Sequence, residues 1–312
     1  MKRILIYATI FFLLLGVIVV IFKKDKKDYC LTGAFLADRP NRIDITDFKR
    51  NYGKNPFFVM IFIDWSNFVD KQILEDVYSS KCVLIITWEP WRADSKEGID
   101  FERIIDGSYD DYIASFARSL KTISGPIFLR FAHEMNGDWY PWSGITIGSD
   151  KYIKAFRHIK SLFDKVGATN VKWIFSVNWQ NVPLEGNDYE DYYPGDKYVD
   201  YVGIDGYNWG DTKSWSRWLS FSDIFSSIYK RINRKFNKPI LITEFSSASS
   251  GGNKALWIKD AISSIKTMKK IKGFVVFNVD KETDWSFPPE SDWGKELEKQ
   301  LKSPYFKDKN SI

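Results

Sequence analysis

Apolar runs of six to nine residues recur along the chain from residue 31 onward. They cover 31–36, 57–64, 83–89, 126–131, 171–178, 199–207, 239–245 and 272–278. Near-continuous apolarity over that length is how a strand buried on both faces reads. Between the runs, apolar residues return every three or four positions, the period of an amphipathic helix. Val69, Ile73 and Val77 mark one helix, and Tyr112, Ile113, Phe116 and Leu120 a second. Ile153, Phe156, Ile159, Phe163 and Val166 mark a third, with Gly167 as its C-cap. Trp218, Phe221, Phe225, Ile228 and Ile232 make a fourth, and Trp257, Ala261, Ile265 and Met268 a fifth. Trp215, Trp218 and Trp257 fall on these periods and are expected in the core.

Strand and helix alternating eight times over about 275 residues predict an α/β fold, a (β/α)8 TIM barrel. A doubly wound open sheet would carry a Gly-rich phosphate turn after its first strand. The chain reads LTGAFLADRP there, without such a turn.

The N-terminus has a different pattern. Residues 4–22 are apolar without a charge, flanked by Lys2-Arg3 and by a basic cluster at 23–27. Nineteen helical residues at about 1.5 Å each reach roughly 28 Å, close to a bilayer's hydrocarbon thickness. No small-x-small cleavage site follows, and no Cys stands where a lipoprotein signal needs one. A transmembrane signal-anchor helix is therefore favoured over a cleaved signal peptide. The expected organisation is an anchor or signal segment at 1–28, a catalytic barrel at 29–303 and a loose tail at 304–312. Two Lys/Arg precede the span and four follow it, which by charge alone argues for a cytoplasmic domain. The substrate chemistry argued below places the barrel outside the cell, tethered to the membrane, or secreted if the segment is cleaved.

Charge and cysteines narrow the classes further. The net charge is +5, and the segment up to Asp28, with six Lys/Arg and two Asp, holds +4 of it. The rest is nearly neutral, which speaks against nucleic acid as a partner. Cys30 and Cys82 make neither a disulfide framework nor a metal site. Both precede apolar runs and read as buried thiols, with a single bridge as the alternative. A monomer is expected.

The polar residues gather where the runs end. In a barrel of this type the active site lies at the C-terminal ends of the strands. The second run ends on Asp64-Trp65, and the third on Trp88-Glu89-Pro90-Trp91. The fourth ends on His133-Glu134-Met135-Asn136-Gly137, and the fifth on Asn178-Trp179-Gln180. Asp205-Gly206-Tyr207, Thr243-Glu244 and Asn278-Val279-Asp280 close the sixth, seventh and eighth. The starts of the runs carry no such groups. Aromatic residues reach 17%, with 13 Trp, and many stand beside Gly, Pro, Asp or Asn, where an indole face can stack on a sugar ring.

Glu134 and Glu244 end strands on opposite walls of the expected barrel. A carboxyl pair about 5–5.5 Å apart suits a retaining glycosidase, and one about 6.5–9.5 Å apart an inverting one. If the fourth strand stays regular, Arg130, Ala132 and Glu134 point the same way. Arg130 would then lie below Glu134 and keep one carboxylate ionised, Glu244 being the candidate.

These residues resemble glycoside hydrolase family 26, the β-mannanase and lichenase family. RFAHEMNGDWYPW is similar to that family's acid/base motif, ILITEFS to its nucleophile segment and VGIDGYNW to its sixth-strand segment. ITWEPW and FNVDKETDW look like segments of lichenase-type members. The resemblance covers most of 31–300. It implies a retaining, endo-acting hydrolase of a β-1,4-linked polysaccharide, either β-mannan or mixed-linkage β-1,3-1,4-glucan. By position, Glu134 would be acid/base, Glu244 nucleophile, His133 and Tyr207 orienting residues, and Trp139 a sugar platform.

Trp142, Trp88, Glu89, Asn178 and Trp285 are further candidates for contacting or orienting substrate, with Trp142 expected to face the sugar. His158 reads as a surface residue. No metal or cofactor is expected, because HEMNG lacks the second His of a zinc motif. Two other readings stand beside this one. The first is a non-catalytic, membrane-tethered polysaccharide-binding barrel, and the second a hydrolase trimming the cell's own exopolysaccharide.

Overall fold

The computed structural model describes residues 28–308. Eight parallel strands close on themselves. They are β1 (Gly33–Phe35), β2 (Phe58–Asp64), β3 (Val83–Glu89), β4 (Ile127–Phe131), β5 (Val171–Asn178), β6 (Tyr201–Asn208), β7 (Ile240–Ser247) and β8 (Ile271–Phe277). Each pairs with its neighbour in sequence, and β8 pairs with β1 to close the barrel.

Among the described residues, seven helices of nine or more residues cover the outside: α1 (Arg42–Tyr52), α2 (Lys71–Ser79), α3 (Asp110–Lys121), α4 (Ser149–Val166), α5 (Phe221–Lys235), α6 (Lys254–Thr267) and α7 (Asp292–Leu301). The five helices marked by periodicity are present, and Gly167 caps α4 in a left-handed conformation. The expected eightfold alternation breaks once. Between β5 and β6 there is only a short 3-10 turn, Tyr189–Tyr192. That connection carries Pro183, Gly186, Pro194 and Gly195, which favour turns over a continuous helix.

Strand parity divides the core into two. Phe58, Met60, Val83, Ile85, Phe128, Ile174 and Leu241 fill the barrel interior. Alternate residues such as Leu84, Ile86, Leu129 and Phe131 pack outward against the helices. This places Trp88 on the outside. Its indole stacks on Phe116 of α3 at 4.4 Å and on Trp65 at 4.9 Å, with none of it exposed. The expectation that Trp88 contacts substrate is thereby corrected, because next to Glu89 only one of the two can face the mouth.

The expected loose tail is also corrected over its first part. Phe306–Lys307 form a short strand parallel to Cys30–Leu31, and Phe306 is buried against Phe274 at 5.6 Å. Residues 309–312 lie outside the described ones. So does the expected membrane span at 4–22. Among the described residues no helix is long and apolar enough to cross a membrane. Cys30 and Cys82 are buried, in line with the thiol reading. His158 is half-buried and pairs with Asp110 at 2.7 Å.

Candidate active site

At the C-terminal mouth of the barrel, polar side chains replace the apolar interior. The inward positions Thr87, Arg130, Ser176, Asp205 and Thr243 come from five successive strands, β3 to β7. Arg130 is the hub of this layer. Its Nε donates to Thr87 Oγ1 at 2.7 Å and its Nη1 to both oxygens of Asp205. Its Nη2 donates to Glu244 Oε1. The guanidinium also lies 5.6 Å from the Phe62 ring. Ser176 Oγ bridges Asp205 and Thr243. Arg130 is wholly buried, and such a cation is tolerable only with carboxylates beside it.

Glu244 owes its position to an irregularity. Leu241 faces the barrel interior and Ile242 faces out. Simple alternation would turn Glu244 outward. The register of β7 shifts against both neighbours between Ile242 and Phe245, and against β6 between Ile242 and Glu244. This bulge at Thr243 brings Glu244 into the mouth, where bulges commonly re-aim a side chain. Its second oxygen accepts from the Tyr207 hydroxyl. Tyr207 itself follows ordinary parity, two residues above Asp205.

Glu134 is delivered differently. β4 ends at Phe131, and the chain then takes positive φ at Ala132 (47°) and Glu134 (53°). Left-handed conformations at non-Gly residues cost about 1–3 kcal/mol each and persist where the surroundings over-determine them. Here Ala132 N bonds Trp88 O at 3.1 Å and Glu134 N bonds Ser176 O at 3.0 Å. The expected regular continuation of β4 is therefore corrected. Arg130 reaches the mouth by parity, whereas Glu134 reaches it through a pinned turn.

The two glutamates sit in unlike surroundings. Burial pushes the Glu134 carboxyl well above the usual carboxylate range, and the charges of Asp205 and Glu244 push the same way. Trp139 Nε1 opposes this by donating to Glu134 Oε2 at 3.0 Å. Glu89 is a third acid at the mouth. Burial raises it to about 7, against a hydrogen bond from Trp91 Nε1.

His133 is buried behind the mouth. Burial first, then Arg130 and Lys281, hold its imidazole well below its ordinary pKa. Its ring packs on Tyr140 at 4.9 Å, and its Nδ1 has no hydrogen-bond partner among the described residues.

Glu89, Glu134, Trp139, Asn178, Tyr207 and Glu244 all line one cleft of about 1600 Å³. Trp285 lies along its wall, with its ring against Tyr207 at 4.7 Å. Asn178 is tied to the strand-end turn through Asn136, which bonds both its N–H and its carbonyl. Trp142 is corrected as a sugar-facing residue. It is fully buried, stacks on Tyr140 at 4.2 Å and donates to His133 O at 2.7 Å. Its position is that of a support beneath His133.

Asp205, which marks the tip of the sixth run, lies buried beneath the cleft and does not line it. Asp205 was legible as a charge inside an apolar run, the natural partner for an equally buried Arg130. Tyr140 and Trp209 also line the cleft; Trp209 stands at the tip of the sixth run and Tyr140 in RFAHEMNGDWYPW, but neither pattern gives them a role. Trp215, expected in the core, is 70% exposed and lines the cleft.

The family model for Glycosyl hydrolase family 26 matches residues 32–305. Endoglucanase H of Acetivibrio thermocellus is 44% identical over 261 residues, 81% of this chain and 28% of that protein. A mannan endo-1,4-beta-mannosidase of Bacillus subtilis is 30% identical over 145 residues, 45% of this chain and 36% of the relative. The chain thus spans well under two thirds of either relative's length. Among solved structures, a GH26 beta-mannanase from Bacteroides ovatus aligns with a TM-score of 0.68 at 16% identity, covering 92% of each chain. At that identity the likeness supports the fold.

Proposed function

The chain belongs to glycosyl hydrolase family 26, and from that premise we propose that it is a retaining, endo-acting hydrolase of a β-1,4-linked polysaccharide, with mixed-linkage β-1,3-1,4-glucan as the preferred substrate. The carrying observation is the contrast between the two glutamates. Glu134 is a carboxyl driven toward its protonated form by burial and by neighbouring negative charge. Glu244 accepts hydrogen bonds at both oxygens, one of them from a buried guanidinium. Two carboxyls with opposed surroundings are the usual basis for dividing acid and nucleophile roles.

In the first step Glu244 attacks the anomeric carbon while Glu134 gives its proton to the departing glycosidic oxygen. A glycosyl ester forms and the aglycone leaves. In the second step Glu134 takes a proton from water, the hydroxide attacks the anomeric carbon, and Glu244 is released as carboxylate. Tyr207 and Arg130 hold the nucleophile, and Trp139 orients the acid and offers its 45% exposed indole to the sugar. In this reading Glu89 and Asn178, which line the cleft, bond sugar hydroxyls, while the buried His133 supports the turn that carries Glu134.

Glucan is preferred because the endoglucanase relative is more similar, and over more of the chain, than the mannosidase. The mannosidase relative supports mannan as the second reading. Since a polysaccharide does not cross a membrane, this reading places the barrel outside the cell. Release of reducing ends from lichenan, mannan and cellulose tests the activity, and proton NMR of the first product tests retention. Binding without release, unchanged by Glu244→Ala, would instead indicate a binding barrel.

A further inference from the structure

The loop after β6 extends the cleft with an aromatic arm. Tyr207, whose hydroxyl bonds Glu244, has its ring 4.7 Å from Trp285. Trp285 meets Trp209 edge-on at 4.8 Å, and Trp209 meets Trp215 at 5.4 Å. All four line the same cleft. Three ring contacts therefore lead from the candidate nucleophile to an indole that is 70% exposed.

The loop holding that indole is tied down. Asn208 Oδ1 accepts from Gly210 N at 3.2 Å and from Leu219 N at 2.9 Å, closing the base of the loop. Ser216 Oγ donates to Gly210 O at 2.8 Å and accepts from Lys213 N at 3.1 Å. The Lys213 ammonium lies 5.6 Å from the Trp209 ring centre and reaches Glu282 O, in the loop after β8, at 3.3 Å. Trp209 is thus fixed between a cation on one side and Trp285 on another. A single exposed apolar side chain needs no explanation. Trp215 is different because it continues a row of buried and half-buried rings along a cleft wall. Its loop is pinned, so stacking a pyranose on it costs little ordering of the protein.

We infer that Trp215, backed by Trp209, forms an outer sugar-binding subsite that makes this enzyme prefer long chains over short ones. The inference rests on the glycan-hydrolase reading above. The ligand is one pyranose unit of the same polysaccharide, remote from the bond being cut, presenting its C–H face to the indole. Lys213 acts through Trp209, as a positioning residue.

The test compares the full chain with Trp215→Ala and Trp215→Phe on two substrates, lichenan and an aryl β-cellobioside too short to reach the loop. For Trp215→Ala, KM on lichenan is expected to rise about tenfold with kcat unchanged, the scale of one lost stacking contact. KM on the aryl substrate should not move, and Trp215→Phe should recover most of the loss. An unchanged KM on lichenan overturns the inference, as does an equal loss on both substrates. If the unaltered protein cleaves mannan and not lichenan, the same comparison is made on mannan and an aryl β-mannobioside. Failure of the unaltered protein to cleave any of these substrates would reject the hydrolase reading itself, a result distinct from loss of the Trp215 effect.

Discussion

Arg130 Nη1 is bonded to both oxygens of Asp205, at 2.9 and 2.8 Å, and neither side chain is exposed to solvent. Burial drives the Asp205 carboxyl up to about 7, and the guanidinium pulls against it. Two charged hydrogen bonds and the Ser176 hydroxyl favour the ionised pair in that contest. Arg130 thereby balances two carboxylates, Asp205 and Glu244. Replacing it with Met would leave both buried and uncompensated, next to Glu134. Arg130→Met is expected to destabilise by about 3–5 kcal/mol, the usual cost of removing one partner from a buried pair. Asp205→Asn should cost less, because the amide oxygen can still accept from Arg130 and Glu244 still balances the cation. Urea midpoints of the two variants check that order, and a more damaging Asp205→Asn would refute the argument.

Glu134 should act as the acid, so activity must fall as pH rises through its elevated pKa. The alkaline limb of kcat/KM reports that group in the free protein. Trp139 Nε1 stabilises the ionised carboxylate and so holds the pKa down. Removing the donor with Trp139→Phe should move the alkaline limb to higher pH by up to roughly one unit, the worth of one hydrogen bond to a charge. A limb that stays in place, or shifts downward, would assign the titration to another group.

The two glutamates should fail in different ways. Glu134→Ala is expected to lose about 10²–10⁴-fold in turnover on polymer, the range of general acid–base catalysis. It should lose much less in the first step on an aryl glycoside whose leaving group needs no proton. Glu244→Ala should abolish turnover on both substrates, with activity returning when azide is added and the product being an α-glycosyl azide. A β-azide, or azide rescue of Glu244→Ala without any azide product, would contradict the assignment.

The strands were legible because each is buried on both faces and spelled as a continuous apolar run, and their polar tips followed from the barrel. Outer helices with few buried positions were harder to see. α1 buries only Ile45, Phe48 and Tyr52, and α7 only Gly294, Leu297 and Leu301. The finer geometry of the site lay beyond pattern reading. Nothing in ILITEFS marks the bulge at Thr243 that turns Glu244 inward, and nothing in RFAHEM marks the left-handed turn that carries Glu134. At WEP, strict alternation could have separated buried Trp88 from cleft-facing Glu89. Trp215 has the spacing of a buried helix position, but the helix it would extend begins only at Phe221.

Glu89 provides a test that depends on stability instead of turnover. Burial raises its carboxyl from an ordinary 4.5 to about 7, opposed by Trp91 Nε1 and by Arg130 and Lys281, while Glu244 adds to the rise. The folded chain therefore holds this proton at pH values where the unfolded chain has lost it. Between about 4.5 and 7 the folded state binds more protons, so stability attributable to Glu89 falls as pH rises across that window. Below it the contribution is fully present, and above it the fold carries a buried charge. Glu89→Gln keeps the shape and removes the titration. Relative to the parent, the variant should gain stability as pH rises from about 4.5 to 7, by at most roughly 3 kcal/mol. Urea unfolding of both proteins at several pH values measures the difference directly. A constant gap across the window would mean that the Glu89 carboxyl titrates alike in both states.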